Sequence, residues 1–143
     1  LHLYGAADAR NMAWSDGICS SLQLINFLQE VAIDYRKNRI YLPLDEMAKY
    51  GVTESQIARH DAGGAWRSLM LFQIERARRM LQAGAPLGKV LPGRIGLELR
   101  MIVMGGSRIL EKLHASGGDV FQRRPLLRPF DWIYMLYRAL VVY

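Results

Sequence analysis

The residues best suited to chemistry lie in the stretch 16–43, DGICSSLQLINFLQEVAIDYRKNRIYLP. On an α-helix, Gln23, Asn26, Glu30, Asp34 and Lys37 fall within an arc of about 80° at ~100° per residue. Leu22 and Ile33 border that arc on one side, Phe27 and Val31 on the other. The polar stripe is therefore set into apolar surface and is not an ordinary solvated face. Glu30 and Asp34 are one turn apart, with Cβ atoms about 6 Å from each other, a spacing at which like charges destabilise an isolated helix. The helical neighbours of Glu30 are Asn26, Phe27, Ile33 and Asp34, none of them cationic. A hard cation such as Mg²⁺ suits carboxylate and amide oxygens, keeps several waters and shares the phosphate oxygens of a substrate. Arg36, Lys37 and Arg39 follow within about a turn of the acids. Two readings stand at this point: a Mg²⁺–diphosphate site, or a buried ion-pair network completed by Arg or Lys from another helix.

The same residues resemble the second aspartate-rich motif of the squalene/phytoene synthase family. That motif runs Q-x-x-N-x-x-x-D-x-x-x-D, then a basic segment, then R-x-Y-x-P. Here it is carried by Gln23, Asn26, Glu30, Asp34, Arg39, Tyr41 and Pro43. The longer run LQLINFLQEVAIDYRKNRIYLPLDEM is most similar to the bacterial hydroxysqualene synthase branch of hopanoid biosynthesis, where a Gln at the position of Gln29 is familiar. The resemblance implies that Glu30 and Asp34 are the catalytic, Mg²⁺-holding acids, with Asn26 assisting. It implies that Arg39 and Lys37 contact diphosphate and that Gln23 and Tyr41 line the substrate site. The chemistry implied is head-to-head prenyl transfer through presqualene diphosphate, ionised and quenched by water to hydroxysqualene. Two positions depart from the pattern: Glu30 stands where Asp is usual, and Ile33 replaces a common acid beside Asp34.

The implied fold is all-α, part of the isoprenoid synthase bundle of antiparallel helices around a central cavity. Residues 1–143 then form the C-terminal portion of one such domain, with no counterpart here of the family's first aspartate-rich motif. Rival expectations are an inactive or incomplete half-enzyme and a non-enzymatic, membrane-associated helical module. The expected partners are an isoprenoid diphosphate, presqualene or farnesyl, and other hopanoid-pathway enzymes. The expected location is the cytoplasm, with peripheral contact at the inner face of the bacterial membrane.

Composition agrees with a globular domain: 51% hydrophobic and 22% charged residues exclude a disordered chain. The single cysteine, Cys19, excludes an internal disulfide and is expected to pack as a small apolar residue. No signal peptide or membrane-spanning run is expected. The net charge of +6 is spread over several segments, and no zinc spacing or aromatic RNA-binding motif accompanies it, so no nucleic-acid partner is expected. His2, His60 and His114 are too scattered for a metal site.

The elements that must position the stripe follow from punctuation and periodicity. Asp8 is expected to cap a helix, Asp16-Gly17 to kink or restart it, and the central helix to run to about Arg36. Short helices are expected near Asp45 and after Thr53, the latter through a capping box with Gln56. Residues 65–83 read as a helix with Trp66, Leu69, Met70, Gln73, Ala77, Met80 and Leu81 on one side and arginines largely elsewhere. Pro92 is expected at the first position of another helix, 93–114, whose Gly105-Gly106 pair fits tight helix packing or the lining of an isoprenoid cavity. A last helix, 130–142, follows the DVFQRR segment. Its aromatics fit a core or interface, and Arg123, Arg124 and Arg128 beside Phe130 and Trp132 also suit an anionic membrane surface.

Overall fold

The computed structural model describes residues 1, 5, 7–31, 42–121 and 126–143, with only the backbone of Val142. Every regular element among them is helical. They are α1 (Ala9–Gln29), α2 (Leu44–Lys49), α3 (Glu54–Ala58), α4 (Gly64–Gly84), α5 (Leu87–Val90), α6 (Gly93–Ala115) and α7 (Pro129–Tyr137), which runs into a π-helical turn, Arg138–Val142. No helix among the described residues is long and apolar enough to cross a membrane.

Local chemistry explains most of the boundaries. The Asp8 carboxylate accepts from the Asn11 amide at 2.7 Å and opens α1. Thr53 does the same for α3, its hydroxyl accepting from Gln56 N–H at 3.2 Å. Two expectations at helix ends are corrected. Gly17 sits inside an unbroken α1, beside the backbone carbonyl of Met80. Pro92 is the N-cap of α6 and not its first residue, because the chain turns at Gly93 with φ +58° before the helix is established. α1 breaks after Gln29 and helical geometry is present again at Val31, while the expected continuation to about Arg36 lies outside the described residues. Glu30 is its C-cap at φ −112°, ψ 11°, and its N–H is shared between the carbonyls of Asn26 and Phe27 at 3.2 and 3.3 Å. A shared bond of this kind tightens a helix terminus. No Gly or Asn marks the position, so the stop carries no sequence signal.

Helices α1, α4 and α6 form the frame. Ser21 donates to the Ala77 carbonyl at 2.7 Å, and Gly84 lies against Trp14 and Ile18, so α1 and α4 are antiparallel. A Cβ on Gly84 would stand only 2.7 Å from Ile18 Cγ1, which is why this crossing requires glycine. Leu81 faces Gly106, and the Trp66 indole N–H donates to the Gly118 carbonyl at 2.9 Å, so α4 and α6 are antiparallel and α1 runs parallel to α6. α7 returns antiparallel along α6, with Met135 opposite Gly105 and Tyr143 against Arg100. The core between these helices comprises Ile18, Ile25 and Leu28 from α1, Trp66, Leu69, Met70, Ala77 and Leu81 from α4, and Val103, Leu110 and Leu113 from α6. The apolar side read for 65–83 is thus the buried side, with Met80 half-exposed at its margin. Cys19 is exposed, contrary to expectation, because α1 buries the face carrying Ile18, Ile25 and Leu28 and Cys19 lies off it.

α2 is tied to α4 by Glu46, whose carboxylate accepts from Gln73 and Arg76. This anchors the chain directly after the segment that carries Arg39 and Tyr41.

Candidate functional site

The last two turns of α1 carry the described part of the polar stripe. Gln23 and Asn26 are exposed and Glu30 is half-buried. Asp34, Lys37, Arg39 and Tyr41 lie outside the described residues. Asn26 and Glu30 are one turn apart at the C-terminal end of α1, and no basic residue occupies that last turn. Helical geometry is present again at Val31, so the negative pole at this point is the Glu30 carboxylate itself, with the Asn26 amide oxygen one turn before it. The donors are oxygens only, the set a hard Mg²⁺ ion prefers. The described residues therefore fit the metal in chemistry and electrostatics. Among them, however, no group of three or more His, Cys, Asp or Glu side chains converges on one point.

Beside this pole lies an apolar groove of about 320 Å³. Leu22, Ile25, Asn26 and Gln29 of α1 form one wall, Met101, Ile102, Gly105, Gly106 and Ile109 of α6 the floor, and Leu127, Trp132 and Met135 the far side. The 3-1-3 spacing of the α1 residues puts them on one helical face. Asn26 belongs both to that face and to the polar stripe, whereas Gln23 lies outside the groove lining. Because α1 and α6 are parallel, Asn26, Gln29 and Ile109 share one end of the groove and Met101 and Ile102 the other. One end is polar and metal-attracting; the rest is hydrocarbon. Sequence reasoning drew attention to α6 through Gly105-Gly106 but did not single out Trp132 or Met135 as walls. Their signal was the alternation of buried Asp131 and Met135 with exposed neighbours on α7, which only packing reveals.

α7 is held over the groove by a buried carboxylate. Asp131 is 2% exposed. It accepts from Lys112 Nζ at 2.6 Å, Arg108 Nε at 2.8 Å and the Arg128 backbone N–H at 2.8 Å. The Lys112 hydrogen bond, then those from Arg108 and the backbone, hold its carboxyl far below the usual carboxylate range. A folded-state pKa depressed in this way stabilises the fold fully above the unfolded carboxylate value, about 3.9. That contribution disappears as the pH falls toward the folded value. Asp131→Asn should therefore lower the thermal midpoint at neutral pH, with the gap to the parent narrowing steadily below about pH 4. Melts at pH 7, 4 and 2.5 measure this; a gap that is constant across the series would exclude the ion-pair role.

A second groove, about 450 Å³, runs between α4, α6 and the C-terminal turn. Its charges are mutually matched: Arg78 with Glu75 at 2.9 Å and Arg138 with Glu111 at 3.5 Å. The Arg78 hydrogen bond holds Glu75 below its ordinary pKa. Surface pairs of this kind leave little net field for a charged ligand.

Against known proteins, the family described as squalene/phytoene synthase matches residues 1–131. A phytoene synthase of Arthrospira platensis is 35% identical over 102 residues, 71% of this chain and 33% of that protein. A phytoene synthase of Thermus thermophilus is 32% identical over 120 residues, 83% of this chain and 41% of that protein. Among solved structures, squalene synthase HpnC from Alicyclobacillus acidocaldarius superposes with a TM-score of 0.75 at 27% identity, covering 80% of this chain and 43% of that one. The chain thus spans less than half the length of these relatives.

Proposed function

The chain belongs to the squalene/phytoene synthase family, and on that premise we propose that it is the metal-binding and product-forming part of a hydroxysqualene synthase. Its all-α architecture is that of the isoprenoid synthase fold. The observation that carries the proposal is the groove, apolar along its length and polar only where Asn26 and Gln29 adjoin the Glu30 pole. A long hydrocarbon with a diphosphate at one end has the same polarity.

In this reading Glu30 and Asp34 hold Mg²⁺ with help from Asn26. The metal, when bound, supplies Lewis-acid stabilisation of the departing diphosphate. Arg39 and Lys37 hold the diphosphate oxygens, where charge grows as the C–O bond of presqualene diphosphate breaks. The bonding electrons leave with the diphosphate, and a cation remains on the hydrocarbon. Leu22, Ile25, Ile109 and Trp132 exclude bulk water from it, so that capture is restricted to a positioned water, which adds to the cation and releases a proton. The run LQLINFLQEVAIDYRKNRIYLPLDEM, the Gln29 position and the HpnC likeness support this branch.

A phytoene-forming enzyme is the second reading, favoured by the names of the sequence relatives. The test is incubation of the full-length protein with presqualene diphosphate and Mg²⁺, and separately with C15 and C20 prenyl diphosphates, followed by mass spectrometry of the lipid extract. Hydroxysqualene from presqualene diphosphate is expected. A C40 hydrocarbon formed only from the C20 substrate selects the second reading. A folded protein that yields no product refutes both.

A further inference from the structure

Resting on that reading, we infer that Glu46, held by Gln73 and Arg76 of α4, is a positioning residue for the diphosphate-binding segment that ends at Pro43. Residues 32–41 carry Asp34, Lys37, Arg39 and Tyr41, and both flanks of that segment belong to the same core: Val31 on one side and Leu42 on the other. The two flanks are held differently. Val31 follows the 21-residue α1. Leu42 precedes the six-residue α2, whose N-cap Pro43 makes no side-chain hydrogen bond. Helices that short are not stable by themselves, so α2 sits where its tertiary ties put it.

Those ties are directional. The Glu46 carboxylate accepts from Gln73 on one oxygen and from Arg76 on the other, donors three residues apart on one face of α4. Tyr50, at the far end of α2, packs on Phe72 at 5.5 Å between ring centroids, and the Arg76 guanidinium lies 4.6 Å over the same Phe72 ring. Buried Leu42 and Met47 add apolar area, which has no directional preference. The two charge-assisted contacts of Glu46 fix the rotation and register of α2. Gln73 is fully buried, and among the described residues its Oε1 has no partner. An apolar side chain would fill the same space without stranding an oxygen, so the amide is explained by the bond it gives to Glu46. The height of the clamp adds a second observation. Ser21 meets Ala77 across the antiparallel pair α1 and α4, so Gln73, one turn before Ala77, is level with Ile25 and Asn26, one turn beyond Ser21. The clamp therefore fixes the chain at the level of the polar stripe, one peptide unit from Tyr41 and three from Arg39 at Leu42.

The test uses the full-length protein with Mg²⁺ and titrates by calorimetry inorganic pyrophosphate and, separately, a C15 prenyl alcohol, which lacks the diphosphate. Glu46→Gln adds net positive charge, and by charge alone it should tighten pyrophosphate binding. The clamp predicts the reverse: pyrophosphate bound about tenfold more weakly, the scale of one charged hydrogen bond, with the alcohol bound as in the parent. Arg76→Met breaks the same tie with the opposite change of charge and should weaken pyrophosphate as well. Its side chain is 37% exposed, so this variant decides the matter if Glu46→Gln does not fold. Leu87→Ala, a core truncation beyond the Gly84 crossing at the other end of α1, should lower the melting temperature with pyrophosphate affinity unmoved. Pyrophosphate affinity within about twofold of the parent in a folded clamp variant, loss of both ligands in step, or an equal loss in Leu87→Ala overturns the clamp and leaves the proposed function standing. A parent protein without Mg²⁺-dependent pyrophosphate binding overturns the proposed function as well as the clamp built on it.

Discussion

Glu30→Gln is expected to lower the kcat of the full-length enzyme by about 10²–10³-fold, the usual loss when one preorganised electrostatic contact to developing charge is removed. The substitution keeps the length and shape of the side chain and removes only its charge. Glu30 occupies the C-cap of α1. The substitution is isosteric and Glu30 is half-buried, so the thermal midpoint should stay close to the parent's. Activity falling while stability holds is the mark of a residue kept for a ligand and not for the fold. Glu30→Asp should retain most activity, since it restores the family's usual acid and shortens the arm by one methylene. The measurements are kcat against Mg²⁺ concentration and a thermal melt for each variant. A melting temperature that drops in step with activity would make Glu30 a structural partner and remove it from the site.

That helix end also shows what could be read from the amino acids alone. The stripe of Gln23, Asn26 and Glu30 was legible because helix period and residue type both act within one element. The caps at Asp8 and Thr53 were legible for the same reason: donor and acceptor are three residues apart. The stop at Glu30 was not, because it rests on a shared backbone hydrogen bond that any residue type permits. Nor were the different neighbours of Gly105, which faces Met135 and Leu127, and Gly106, which faces Leu22, Ile25 and Leu81. One sequence dipeptide meets two sets of side chains because adjacent helical residues point about 100° apart, and only the partner helices determine which direction is filled. Cys19 was misjudged on composition, since burial follows the face of α1 and not the type of side chain. Long-range ties such as Asp131 with Arg108 and Lys112 join residues about twenty apart and leave no local pattern.

Trp66→Ala is expected to cost about 3–5 kcal/mol of folding stability, the range for deleting a large aromatic from a packed core. Total stabilities of single domains are about 5–15 kcal/mol, so the loss is a large share of the whole. The side chain is fully buried, and its ring lies 4.8 Å from that of Phe121, which in turn stacks on His60 at 5.3 Å. Its N–H donates to the carbonyl of Gly118, a residue at φ +81° packed directly on Met70. Trp66 therefore fastens the start of α4 to the turn that ends α6. Trp66→Phe separates the two contributions: it keeps much of the apolar contact and removes one hydrogen bond from the Gly118 carbonyl, which still accepts from the Val120 N–H at 3.0 Å, at about 0.5–1.5 kcal/mol. Urea unfolding of the parent and both variants measures the series, and a cost below about 1 kcal/mol for alanine would refute the central place of Trp66. The consequence reaches the groove. The turn that Trp66 secures leads toward α7, and α7 carries Trp132 and Met135 onto the groove wall. Trp66→Phe should thus weaken binding of C15 and C20 prenyl thiodiphosphates to the protein alike, which calorimetric titration measures.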